Sequence, residues 1–230
     1  MKVEIWSDVA CPFCWIGKYH FEYAIDRLGL KNIEIEWKSF ELDPHAQKEY
    51  EDDLYTLLAN KYGQTRDWAI NMANDMKQKG QSIGLEFNFD DTKSTNTFDA
   101  HRLLHLAKTK GLQNKAEEIL FMAYFKEGKH VGNRQALIEI GIEIGLEAAE
   151  VEQTLDGDRF YAEVRADEQL GQEFGIRGVP FFVVNRKYGI SGAQPVEHFV
   201  NVLQKAQSEE PTLIVEEDQQ GESCGIDGCD

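Results

Sequence analysis

Polar and apolar residues alternate along Lys2-Val3-Glu4-Ile5-Trp6-Ser7, the period of a half-buried strand, and the alternation stops at Asp8. Pro12 is placed to open a helix at its first turn, where a missing N–H costs nothing. Ile16, Tyr19, Tyr23, Ile25 and Leu28 then form an apolar stripe that Gly29 closes. Ile33-Glu34-Ile35-Glu36-Trp37 alternates again, which predicts a βαβ unit at the start of the chain. From about Pro44 to Leu155 the pattern changes to helix after helix. Residues 65–79, 96–110, 115–126 and 133–144 carry apolar positions three and four apart. Asn96 or Thr97 and Asn133 read as N-caps, and Gly80, Gly111, Gly128 and Gly145 as stops. The strand signal within this stretch is confined to the ambiguous Leu85-Glu86-Phe87-Asn88-Phe89. A helix over 159–174 leads to Pro180-Phe181-Phe182-Val183-Val184, a turn at Asn185-Arg186-Lys187, and Tyr188-Gly189-Ile190-Ser191, a short hairpin. A last helix is expected over 195–205. The order is β-α-β, a large helical block, then α-β-β-α, which makes the class α/β.

Composition narrows what such a chain does. Its 230 residues are 42% hydrophobic and 11% aromatic, enough for a sizeable core, and the formal net charge is −17. That charge argues against nucleic acid as the main partner, because phosphate binding needs clustered Lys and Arg. No run approaches the ~20 apolar residues that span a bilayer, so no membrane partner is expected. The start of the chain leaves no room for a signal peptide before position 11, and a cytoplasmic protein is the expectation. After Lys205 there is no Lys or Arg, while eight acidic residues fall in 209–230, which predicts a flexible acidic tail.

The chemistry is carried by cysteine. The four cysteines form two close pairs, Cys11/Cys14 and Cys224/Cys229, rather than the dispersed set of a disulfide-stapled domain. Thiol–disulfide exchange needs an attacking thiolate and a second thiol near enough to resolve the mixed disulfide. Cys11-Pro12-Phe13-Cys14 at a strand-to-helix turn supplies both. Cys11 sits where unpaired N–H groups and the macrodipole favour an anionic sulfur, and Cys14 lies one turn on. We read Cys11 as nucleophile and Cys14 as the more buried resolving thiol, with Pro12 and Phe13 tuning the pair. A lone CxxC also occurs in zinc modules, but the preceding strand and the following amphipathic helix favour redox over metal.

Cys11-Pro12-Phe13-Cys14-Trp15-Ile16-Gly17-Lys18 and Gly178-Val179-Pro180-Phe181-Phe182 resemble the DsbA-like family, most nearly its cytoplasmic FrnE-type thiol–disulfide oxidoreductases. The resemblance spans roughly residues 1–205 in architecture, although its motifs occupy only about fifteen positions. It implies a thioredoxin fold over 1–43 and 156–207, a helical domain inserted over 44–155, and a tail over 208–230. It also implies a cis Pro180 beside the cysteines, with the Val179 backbone offered to a substrate chain. Phe13 cannot donate a hydrogen bond or charge to Cys11, unlike the His at that position in the strongly oxidising bacterial enzyme, so a less oxidising couple is expected.

Other residues carry weaker signals. Trp15 belongs either to the groove edge or to the core. His101 and Arg102, in a helix that is otherwise apolar, resemble a segment that faces the active site in related proteins. They are candidates for substrate binding or for bridging the domains. His101 and His105 have metal-binding spacing, but nothing completes a site. Cys224-Gly-Ile-Asp-Gly-Cys229 is flexible and acidic, better suited to being attacked than to attacking, and is a candidate auxiliary redox pair. The expected partners are thiol- or disulfide-containing proteins or small thiols, met by a monomer or homodimer. No cofactor is expected beyond the redox-active disulfide, with glutathione as a candidate reductant. Two other functions fit the same residues. One is a glutathione-dependent isomerase or transferase resembling 2-hydroxychromene-2-carboxylate isomerase, a group that typically has Ser where Cys11 stands. The other is a zinc-binding or chaperone module.

Overall fold

The computed structural model describes residues 1–209, together with the backbone of 224–225 and 228–229. Strand β1 (Lys2–Ser7) leads to helix α1 (Pro12–Leu28) and strand β2 (Glu34–Ser39). Helices α2 (Leu54–Tyr62), α3 (Arg66–Gln81), α4 (Phe98–Thr109), α5 (Gln113–Phe121), α6 (Arg134–Ile144), α7 (Ala148–Asp156) and α8 (Tyr161–Glu173) follow. Strands β3 (Phe181–Val184) and β4 (Tyr188–Ser191) and helix α9 (Val196–Ser208) complete the fold.

The sheet runs β2-β1-β3-β4. β1 is parallel to β2 and antiparallel to β3, with Ser7 opposite Ser39 and Trp6 opposite Phe181. That register has a direct consequence for chemistry. The end of β1, the end of β2 and the start of β3 meet at one edge, so the residue before Phe181 reaches the same place as the residues after Ser7.

Local chemistry explains the element ends. Cys11 is the N-cap of α1 in an extended conformation, and Pro12 opens the helix. Gly29 closes it in the left-handed region (φ 60°), with its N–H on the Asp26 carbonyl. Asp53, Thr65 and Asn133 cap α2, α3 and α6 through side-chain oxygens. Asn96 accepts from the Phe98 N–H (3.0 Å) at the start of α4.

Several elements depart from the sequence pattern. α3 runs one residue past Gly80, where a Cβ would stand 2.5 Å from the Phe87 ring. The lack of a side chain there lets Phe87 close on the helix. Residues 85–89 form no strand; Phe87 and Phe89 are buried and stacked at 5.3 Å instead. The helix expected over 115–126 changes at Met122 into a π-helical turn, Met122–Lys126. This widened turn helps bring Phe121 and Phe125 onto one ring, that of Trp15 (6.0 and 6.1 Å). β2 extends to Ser39, where the backbone N–H meets Asp167 of α8.

Three buried apolar clusters result, a small one of Trp6, Ile176 and Val183 and two larger. One of the larger two lies between the sheet and α1 and α9 and includes Ile5 with Phe21, Phe182 and Phe199, the three phenylalanine rings meeting at 4.8–5.9 Å. The other is built by the helices between β2 and β3, and it is not theirs alone. Cys11, Cys14, Trp15 and Ile16 of the motif belong to it, beside Leu103, Leu106, Leu120 and Phe121. The helical block therefore forms the wall behind the cysteines.

Candidate active site

The site begins at the loop from β1 to α1. Asp8 shapes it: the backbone carbonyl accepts from the Cys11 N–H (2.9 Å), and the carboxylate accepts from Ala10 N–H (3.2 Å) and Leu42 N–H (2.8 Å). One buried carboxylate thus joins the loops after β1 and β2. His101 of α4 stands beside it, 3.6 Å from Nε2 to Oδ1, an ion-pair separation rather than a hydrogen bond. Burial disfavours charge on both. Their mutual attraction and the two backbone donors outweigh it, so the Asp8 carboxyl is lowered and the His101 imidazole raised.

Cys11 and Cys14 are both free thiols. Cys11 is 4% exposed and Cys14 0%, in keeping with an attacking and a resolving sulfur. The Cys11 sulfur faces the Val179 carbonyl at 3.6 Å. The Val179–Pro180 peptide is cis, and Pro180 lies against α1 because position 17 has no side chain: a Cβ on Gly17 would sit 2.8 Å from Pro180 Cγ. Burial and the neighbouring Cys11 push the Cys14 thiol well above its usual range, opposed by the Asp8 backbone N–H and the Ser7 hydroxyl. Phe13 is 43% exposed, with Lys79 of α3 5.9 Å from its ring centre.

A buried dithiol at a helix N-terminus, faced by a cis-proline loop, is thus assembled from residues 168 positions apart. Residues 2–204 match the DSBA-like thioredoxin domain family. The chain belongs to that family. A solved structure from Streptomyces coelicolor, described as a probable DsbA oxidoreductase, is 38% identical with a TM-score of 0.88, covering 100% of this chain and 98% of that one. The cytosolic disulfide reductase DsbM of Pseudomonas aeruginosa, at 16% identity, shares the fold (TM-score 0.64; 90% of this chain, 99% of that one). YwbO of Bacillus subtilis, itself uncharacterized, is 28% identical over 210 residues, 89% of this chain and 98% of its own length.

Not every residue singled out in the sequence reaches the mouth of this DsbA-like site. Trp15 is in the core, its ring stacked among phenylalanines and its Nε1–H donating to Glu118 (3.1 Å). The groove-edge role is corrected accordingly. Arg102 is also buried, its guanidinium donating to Asp99 and to the carbonyls of Thr154, Gly157 and Arg159. It clamps helices together and does not face a substrate. His101 lies behind the motif against Asp8 rather than at the surface. His105 is separately engaged by Asp167 and Ser39, each 3.2 Å away. The backbones of Cys224 and Cys229 pair across a short antiparallel ladder, and their side chains lie outside the described residues. Among the described residues no helix is long and apolar enough to cross a membrane.

Four positions not singled out by the sequence stand here: Gly17, Lys79, and Ser7 with the buried Glu117 to which its hydroxyl donates at 2.6 Å. Glu117 carried a signal, since it is an acid with Leu120 and Phe121 three and four residues on, facing inward with them.

Proposed function

We propose that this chain is a thiol–disulfide oxidoreductase acting on protein or small-molecule disulfides, as oxidase, isomerase or reductase, through Cys11 and Cys14. The observation that carries the reading is the free dithiol at the start of α1 with its outer sulfur 3.6 Å from the Val179 carbonyl. In the reducing direction Cys11, as thiolate, attacks one sulfur of a substrate disulfide and the other sulfur leaves with the bonding pair. Cys14 then attacks Cys11, forming the Cys11–Cys14 disulfide and releasing the second substrate thiol. Val179, before the cis-proline, offers backbone hydrogen bonds to an extended substrate segment. Phe13 and Lys79 form an apolar and cationic lip. The oxidising direction runs the same steps backward.

The finer parts belong to the same proposal. The enzyme works in the cytoplasm, as the cytosolic disulfide reductase DsbM does, with glutathione as a reductant, and is of the FrnE type. Cys224 and Cys229, opposite each other in backbone register, exchange with the active-site pair. Insulin reduction tests the core: the wild type is active, and Cys11→Ser loses activity entirely. An active Cys11→Ser protein would sink the reading in favour of a glutathione-activating or non-redox function. In the same preparation a Cys14→Ser variant accumulates a Cys11–Cys224 or Cys11–Cys229 bridge, and its absence would remove the tail from the mechanism. Direction follows from the potential. A couple well below about −250 mV marks a cytosolic reductant, one near about −150 mV an oxidant or isomerase.

A further inference from the structure

The two helices that meet at the entrance to Cys11, α1 and α3, carry five ammonium or guanidinium groups. Lys18, Arg27, Arg66 and Lys77 are each held by a carboxylate. Lys79 is the fifth, and it has no ion-pair partner among the described residues, although Asp75 stands one turn earlier on the same helix. Its ammonium lies over the Phe13 ring instead, 5.9 Å from the centre. A ring face attracts a cation without neutralising it. An exposed lysine is ordinary by itself. This one is placed against a residue between the two cysteines, so its unspent charge stands beside Cys11.

The other residues flanking Cys11 offer no charge of their own. Ala10, Pro12, Phe13 and Val179 are uncharged. Asp8, the nearest acid in sequence, is buried, with its carboxylate turned to the N–H groups of Ala10 and Leu42. A disulfide approaching Cys11 therefore meets apolar surface and one cation. The formal net charge of −17 repels an anion from a distance. Physiological salt, however, screens exposed charges beyond about 8 Å, so the local ammonium decides at contact.

We propose that Lys79 is a specificity-determining residue that selects disulfides carrying a carboxylate close to the sulfur attacked by Cys11. The proposal rests on the thiol–disulfide reading above and names its substrate class. Lys79 takes no part in bond making. The Cys11 thiolate bonds to one substrate sulfur, and the other leaves as a thiolate with the bonding pair. Cys14 then bonds to Cys11, and the second substrate sulfur leaves with the Cys14 proton. Lys79 pairs with the carboxylate of the incoming disulfide. Complementarity of this kind acts on encounter and on discrimination between partners more than on the chemical step. The carboxylate can belong to a small dicarboxylate disulfide or to an acidic protein segment around a cystine.

Rates with disulfides of different charge test this. Reduced full-length protein carrying Cys224→Ser and Cys229→Ser, so that only the active-site pair reacts, is mixed with excess dithiodipropionate (dianionic), hydroxyethyl disulfide (neutral) or cystamine (dicationic). Remaining protein thiols are trapped with a maleimide at timed intervals. At low ionic strength the dipropionate-to-neutral rate ratio falls about five-fold in Lys79→Gln and about tenfold or more in Lys79→Glu. The cystamine-to-neutral ratio rises in both, and Lys79→Arg keeps the parent ratios. These differences vanish in about 1 M salt, where the screening length is about 3 Å. Dividing by the neutral disulfide removes any change in the reactivity of Cys11 itself. Two cystine peptides that differ only by Glu or Gln beside the half-cystine identify the source of the carboxylate. A loss larger with the Glu peptide than with dipropionate assigns it to a protein segment, and a smaller loss assigns it to a small molecule. Parent ratios in Lys79→Glu overturn the proposal, as does an equal slowing with all three disulfides. A parent that attacks none of them overturns the thiol–disulfide reading itself, a distinct result.

Discussion

Gly17 occupies the face of α1 on which Pro180 rests. A methyl group there would meet Pro180 Cγ at 2.8 Å and Phe182 Cζ at 3.3 Å, closer than side chains pack. Alanine is favoured over glycine inside a helix by about 1 kcal/mol, so a free surface would make Gly17→Ala stabilising. Here the clash reverses the sign. We expect a net loss of about 1–2 kcal/mol in urea unfolding, together with slower insulin reduction because Pro180 is pushed from Cys11. A Gly17→Ala protein as stable and as active as wild type would show that the contact is slack. The residues of the site differed in how plainly the sequence announced them. Cys11, Cys14 and Pro180 could be read because the first two sit three positions apart at a strand-to-helix turn and the third belongs to a recognisable strand start. Ser7 and Glu117 could not, because their meeting depends on side chains 110 positions apart in a fold whose register is set elsewhere.

Among the elements, α4 shows which of two readings a cluster of charge takes. His101 and Arg102 stand out against Leu103, Leu104 and Leu106, and such residues on an apolar helix suggest either a site or a bridge. The structure gives Arg102 the bridging task. Its guanidinium holds the carbonyls of Thr154 and Gly157 at the C-terminal end of α7 and, at 2.9 Å, that of Arg159 ahead of α8. A cation suits a helix C-terminus, and its planar fork can meet several carbonyls at once. Replacing Arg102 with Ala leaves the buried Thr154 carbonyl unpaired and frees the part-buried carbonyls of Gly157 and Arg159, and we expect a loss of about 3 kcal/mol with activity per folded molecule retained. Arg102→Lys should recover little, since one ammonium cannot span the same acceptors. Chemical denaturation paired with specific activity checks both, and a stable Arg102→Ala protein with impaired turnover would return Arg102 to the substrate. The strands and most helices were legible from apolar period and cap residues. The π-helical turn at Met122–Lys126 and the contact of Phe87 with Gly80 were not, since each answers to a ring supplied by another element.

At the scale of the whole molecule, packing the helical block behind the cysteines buries ionisable groups whose energetics set a pH profile. Glu117 is raised by burial to about 7 from an ordinary 4.5. The folded protein therefore keeps this proton after the unfolded chain has lost it, so unfolding releases a proton between those values. Stability is highest below about pH 4.5 as far as this group is concerned, and it falls as pH rises to 7, by ~3 kcal/mol in total. His101 acts in the same direction at higher pH: Asp8 holds its imidazole above the ordinary 6.5, and that contribution is lost as pH rises through the raised value. Asp8 acts oppositely. Its lowered carboxyl contributes above the ordinary 3.8 and loses that contribution as the solution becomes more acidic. Asp8 gains above its ordinary 3.8 and Glu117 loses above its ordinary 4.5, so these three groups together favour a mildly acidic optimum, at about pH 4–5. Urea unfolding of reduced protein at pH 5 and pH 8 tests this, because Glu117→Gln removes the Glu117 shift without changing the shape of the side chain. The wild type should lose ~3 kcal/mol more than the variant between the two pH values. Equal losses would mean that the carboxyl is solvated and ionised throughout, and that the helical block does not hold it dry.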